Sequence, residues 1–171
     1  MTQPGGFARM LESVLGSEVY TQKGRMRADD QLVRQRVGRG LGDASAAIRA
    51  LIARYRADSV PPSTREQPFP PAEVMEPMRR AERLIRQIDD VAGIVKGLPV
   101  LNQDKVWDQV RRTGLNDLLQ FDWNLVGDSD ALSRDLATAM ALDEVDVPGY
   151  EARVRRIREI IGERQRFLEI S

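Results

Sequence analysis

The chain has no histidine and no cysteine in 171 residues. Their absence removes the commonest general base, the usual zinc ligands and the thiolate nucleophile together. Without cysteine there is no disulfide framework, which agrees with a reducing compartment. Lysine is scarce as well, and arginine outnumbers it 23 to 3. A GC-rich coding sequence produces such a bias, and so does a need for bidentate pairing with carboxylates or phosphates. Only nine side chains are aromatic. No stretch approaches the ~18 consecutive apolar residues of a membrane span. The opening MTQPGGFARMLESVL lacks a basic leader followed by a long apolar core. It does not read as a secretory signal, and the cytoplasm is the expected compartment.

Apolar residues make up 42% of the chain and charged residues 30%. That is too apolar for full disorder and too polar for a membrane protein. The formal net charge is zero. No global field therefore favours nucleic acid, which is not an expected partner. The charges are unevenly spread. Residues 1–60 carry 10 basic and 6 acidic side chains, residues 101–150 carry 4 and 10, and residues 151–171 carry 6 and 4. An acidic third quarter between basic ends predicts internal docking or head-to-tail self-association, unless the charges merely solvate helix faces.

Helical periodicity dominates. Phe7, Met10, Leu11, Val14 and Leu15 fall at i, i+3, i+4, i+7 and i+8, the stripe of a short amphipathic helix. Glycines on both sides set it off as a separate element. A second pattern runs through Met26, Val33, Val37 and Leu41. Gly38, Gly40 and Gly42 interrupt it and are expected either to break the helix or to make a close helix contact. No strand precedes them, so they are not a nucleotide loop. Asp43 is a good N-cap for a further helix over 44–57. Residues 59–71 hold five prolines in thirteen positions and read as an extended linker. They separate an N-terminal helical segment, 1–58, from a bundle, 72–171.

The strongest helix follows, over 78–96. Met78, Ala81, Ile85, Ile88, Ala92 and Val95 keep the 3,4 spacing of a heptad seam, and Leu84 and Val91 widen it. Pro77 suits a first helical turn, and Gly97-Leu98-Pro99 is a stop. Further helices are expected over 103–121, 129–142 and 150–168. Residues 120–126 read as helix end plus loop, with 127–130 capping the next helix and 143–149 as a loop. Trp107 and Trp123 read as core anchors. The fold class is therefore all-α: a bundle of about four helices over 72–171, with N-terminal helices joined through the proline-rich linker.

Carboxylate metal sites need neither histidine nor cysteine. Asp128, Asp130 and Asp135 lie close in sequence, but the central glycine and terminal glutamate of a calcium loop are missing. Glu73 and Glu76 are three apart, yet no glutamate has an aspartate three positions later, so a two-metal set is short of ligands. Asp89-Asp90 reads as a polar helix face. The serines have no histidine base. Arg25, Arg27, Arg34, Arg36 and Arg39 form the best basic patch, suited to phosphates of RNA or of lipid headgroups and diluted by Asp29 and Asp30. It has no interleaved aromatics to stack on bases.

These observations point to a non-enzymatic scaffold or adaptor that binds a protein partner, or a second copy of itself, through helix faces. No cofactor is expected. The candidate contact residues are Phe7, Met10, Leu11, Val14, Arg25, Arg27, Arg34, Arg36, Arg39, Ile85 and Ile88. One alternative is a binder of anionic membrane surfaces through residues 7–39. A second is a small enzyme with a carboxylate-bound divalent metal. The heptad places Ile85 and Ile88 at the centre of burial. Ile85→Asp is expected to disrupt fold or assembly, because an unpaired buried charge costs several kcal/mol. Its melting temperature and solution mass are the measurements, and no change in either would refute the assignment.

Overall fold

The computed structural model describes residues 22–98 and 114–170. Four long helices account for most of them: α1 (Gln22–Ser59), α2 (Ala72–Gly97), α3 (Leu115–Thr138) and α4 (Val147–Ile170). A 3₁₀ turn, Leu142–Glu144, lies between the last two. The fold is an all-α four-helix bundle. α1 packs against α2 and α3, and α4 packs against the same two. In cross-section the helices thus form a square, with α1 diagonal to α4 and α2 diagonal to α3.

Side-chain pairs give the directions. Arg34 reaches Leu98 and Ser45 reaches Asp89, so α2 runs antiparallel to α1. Arg36 meets Asp130, and Arg54 meets the Met140 carbonyl, so α3 runs parallel to α1. Arg164 pairs with Asp122 and Arg153 with Asp135, so α4 is antiparallel to α3. The chain therefore runs up, down, up, down, but passes from α2 to α3 between opposite corners of the square.

One core fills the square. α1 supplies Val33, Val37, Leu41, Ala44, Ile48, Leu51 and Ile52 to it. α2 supplies its heptad side chains from Met78 to Val95, α3 supplies Leu125, Val126, Leu132 and Leu136, and α4 supplies Val154, Ile157, Ile160 and Ile161. The division at residues 59–71 consequently does not separate two cores. Residues 60–71 carry no helix, as the prolines require, but they join two helices that pack on each other. Ile85 and Ile88 are interior side chains of this chain's own bundle and do not face a partner.

Other expectations change because local helix breakers are outweighed by packing. Gly38, Gly40 and Gly42 do not break α1, and Asp43 lies inside that helix instead of capping a new one. The close contact is real at Gly40. A Cβ there would stand 3.1 Å from the Ser129 carbonyl oxygen on α3. Residues 120–130 are not a loop and cap but the middle of α3. Ser129 lends its hydroxyl to the Val126 carbonyl at 3.1 Å, which satisfies the group inside the helix. Pro77 is the sixth residue of α2, beyond its first turn. The helix expected over 129–142 ends at Thr138, and α4 starts at Val147. Asp146 caps α4 by accepting the Gly149 N–H at 3.2 Å. Most of the expected 103–121 helix, with Trp107, lies outside the described residues.

Below the apolar core, ionic groups cross the bundle. The Arg164 guanidinium on α4 donates from Nε to Asp122 on α3 at 2.6 Å and from Nη2 to Asp30 on α1 at 2.8 Å. Arg34 pairs with the other Asp30 oxygen at 2.7 Å and donates to the Leu98 carbonyl at 2.6 Å. Arg164 is 3% exposed, and Asp30 and Asp122 are 5% exposed. Burial pushes the Asp122 carboxyl up, and the Arg164 charge only partly offsets that. Burial also disfavours the charged Arg164, but its two carboxylates outweigh the effect and raise its pKa above the ordinary arginine value.

Two stability tests follow. Arg164→Met leaves the buried Asp122 without its arginine and Asp30 with Arg34 alone, and is expected to cost about 3–5 kcal/mol by denaturant titration. A loss within ordinary surface-mutation range would show that the triad is not structural. Gly40→Val is expected to cost about 1–3 kcal/mol through overpacking against Ser129. Gly42 has nothing within 4 Å of a built Cβ. There Gly42→Ala is expected to raise stability by roughly 1 kcal/mol through helix propensity. Equal effects at the two positions would remove the close-approach argument.

Candidate functional site

The outer groove between α1 and α3 is the best candidate. Two contacts set its register: Gly40 against Ser129, and Arg36 against Asp130. Arg36 binds Asp130 through two edges, Nε at 3.1 Å to Oδ1 and Nη2 at 2.8 Å to Oδ2. The hydrogen bonds and charge of Asp130 raise the Arg36 pKa. The pair is exposed to solvent, so it steers register more than it adds stability.

Toward the C-terminal ends of the two helices the groove opens into a concavity of about 210 Å³. Arg39 and Arg134 line it with Ser133, Asp43 and the Arg36–Asp130 pair, and Gly40 is part of its lining. Toward the N-terminal ends it becomes apolar. Leu32 lies one turn before Arg36 on the same flank of α1, and Trp123 lies two turns before Asp130 on the same flank of α3. They are 41% and 42% exposed. Both sit beside the buried carboxylates, since Asp30 and Asp122 share the Arg164 guanidinium. An apolar end and a guanidinium end thus lie on one face.

The expected contact residues fare differently. Arg39 is exposed and faces this groove. Arg36 lines it while bound to Asp130, and Arg34 turns inward to Asp30 and Leu98. The basic patch is therefore not a continuous surface: its members point to different sides of α1. Arg25 and Arg27 lie on the first turns of α1, but their side chains are outside the described residues, as are Phe7, Met10, Leu11 and Val14 in the preceding segment. Trp123 was expected in the core and is instead on the surface. Its signal was available in the sequence: on one continuous helix Leu118, Leu125, Leu132 and Leu136 fall on one stripe, and Trp123 falls off it.

The acidic cluster does not converge. Asp128 pairs with Arg156, Asp130 with Arg36 and Asp135 with Arg153. Glu76 is held by Arg80 and Arg83, and the Arg80 hydrogen bond lowers its pKa. Asp89 accepts from Ser45 and Arg49. Among the described residues no three acidic side chains come together as metal ligands. A second concavity, about 300 Å³, lies between α2 and α4 and is lined by Gln87, Asp90, Glu151, Arg155 and Arg158 over Val91 and Val154. Its apolar floor is already buried, so it exposes no large apolar anchor. No described helix is long and apolar enough to cross a membrane. Comparison of the chain with known protein families, with curated proteins and with solved structures finds no match.

Proposed function

We propose that the chain is a non-enzymatic helical interaction protein that docks a partner protein along the α1–α3 groove. The exposure of Trp123 carries this reading. Tryptophan and arginine are the residue types that dominate binding energy at protein interfaces. Here an indole, a leucine and two arginines with exposed side chains, Arg39 and Arg134, share one face. The apolar end supplies desolvation energy, and the guanidinium end supplies orientation and selection for carboxylates. Adaptor function, a cytoplasmic setting and self-assembly belong to the same proposal. The anionic-membrane alternative is less favoured, because Arg34 and Arg36 are engaged within the protein.

The test is affinity capture with the full chain, followed by titration of the dominant captured protein against purified variants. Trp123→Ala is expected to weaken binding at least about tenfold, and paired Arg39→Ala and Arg134→Ala changes less than that. Stability is expected to stay within about 0.5 kcal/mol of the parent, since these side chains are exposed. Unchanged affinity in Trp123→Ala would overturn the assignment of this groove. Recovery of anionic lipid alone, lost at high salt, would transfer the function to the membrane alternative.

A further inference from the structure

We infer that the guanidinium end of the α1–α3 groove is a binding site for a phosphate monoester, with Arg39, Arg134 and Ser133 as its donors. It shares the groove of the docking surface proposed above, but it does not require a partner protein. The helix register builds it. Arg39 is three positions after Arg36 on α1, and Arg134 is four positions after Asp130 on α3. The two helices run parallel and Arg36 is bound to Asp130, so both residues lie about one turn, ~5 Å, beyond that pair. They are therefore level with each other across the groove. Ser133 precedes Arg134 and lines the same concavity from a half-buried position. The close approach at Gly40 brings the two backbones together beside it.

This level is unlike the rest of α3. Elsewhere arginines of the flanking helices meet aspartates: Asp122, Asp128, Asp130 and Asp135 are all taken. Here two exposed arginines from two helices line one concavity, and neither has an ion pair or hydrogen bond among the described residues. With Arg36, three guanidiniums stand against two carboxylates, Asp43 and Asp130, and Arg36 occupies both oxygens of Asp130. The concavity is thus net positive, and its uncommitted donors are Arg39, Arg134 and Ser133. One guanidinium fork satisfies a planar carboxylate. Two forks and a hydroxyl suit a tetrahedral anion with three terminal oxygens and about two negative charges at neutral pH. A phosphodiester offers only two such oxygens and one charge. The volume of about 210 Å³ exceeds that of a phosphate group and admits the first atoms of its carrier. A soluble carrier fits better than a bilayer. Asp43 is exposed at the site and Arg34 is turned inward, so no broad cationic face surrounds it.

The experiment titrates the isotope-labelled full chain with methyl phosphate at constant ionic strength and follows its NMR spectrum. Acetate, dimethyl phosphate and sodium chloride are the comparison anions. Methyl phosphate is expected to shift the Arg39 and Arg134 Nε–H signals and the Ser133 amide, and to bind more tightly than the other three. Arg39→Gln and Arg134→Gln are each expected to weaken it at least about tenfold, with unchanged melting temperature. Arg155→Gln, at an exposed arginine between α2 and α4, is expected to leave the affinity as it is. So is Trp123→Ala, which separates this site from the partner reading: either can fail alone. Equal binding of methyl phosphate by the parent and both Gln variants would overturn the inference. Acetate or dimethyl phosphate binding as tightly would overturn the ligand class. Capture of the chain by phosphatidic acid vesicles, without binding of methyl phosphate, would overturn the soluble monoester and assign the arginines to a membrane surface.

Discussion

The guanidinium of Arg164 links two helices, α1 and α4, that sit at opposite corners of the square and otherwise connect through α2 and α3. α4 is diagonal to α1, yet Arg164 reaches Asp30 there and Asp122 on α3 at the same time. An apolar core of leucine, isoleucine and valine tolerates several registers at similar energy. A buried guanidinium with two carboxylates does not, because any slip leaves a charge without its partner at a cost of several kcal/mol. Arg34 extends the constraint to the end of α2 through the Leu98 carbonyl. All four helices are thereby tied at one level of the bundle. Lysine is not an equivalent replacement for Arg164: the planar guanidinium reaches the two carboxylates from two separate nitrogens, Nε and Nη2, whereas an ammonium carries all its donors on one.

The same logic explains the lopsided charge of the sequence. Within the acidic third quarter lies α3, and four of its aspartates, Asp122, Asp128, Asp130 and Asp135, meet arginines from both flanking helices: Arg36 from α1, and Arg153, Arg156 and Arg164 from α4. Segregated charge here is internal docking. Three of these pairs are solvent-exposed and worth little individually. Together they select which faces of α1, α3 and α4 meet, while the apolar residues supply most of the energy. The bias toward arginine acquires a structural use in these pairs, whatever its origin in the coding sequence.

Helix existence and inward faces were legible from periodicity, as α2 shows: Met78, Ala81, Ile85, Ile88 and Val95 of its heptad are buried, with Leu84 and Val91 beside them and Ala92 half-buried. Helix continuity was not. Gly38, Gly40, Gly42 and the Gly127–Asp130 stretch carry the local chemistry of helix ends, yet both lie mid-helix. What overrides them is distant in sequence: Asp128 and Asp130 are taken by arginines 28 and 94 positions away, and Gly40 is needed by Ser129. Local rules describe what a segment does alone, and these segments never are. The basic patch failed as a surface for a similar reason. Arg34 and Arg36 differ by two positions, which on a helix turns one inward and the other toward α3. Asp30 lies within the patch, four positions before Arg34, but the Arg164 that holds it inside is 134 positions away.

Burial of Asp122 and exposure of Trp123 are one event. The residues are neighbours on α3, about 100° apart, and the rotation that turns Asp122 to Arg164 leaves Trp123 off the buried stripe, 42% exposed. A chain arranged for stability alone places the indole inside, where it contributes most, and leaves the carboxylate in water. This bundle does the reverse. It accepts the desolvation of an acid, needs an arginine from another helix to hold it, and leaves its tryptophan on the surface next to Leu32. Departures from local and energetic consistency are where functional surfaces are to be sought. The inversion at residues 122 and 123 thus joins the structural and functional arguments: the ionic clamp that sets the helix register also presents the indole at the groove.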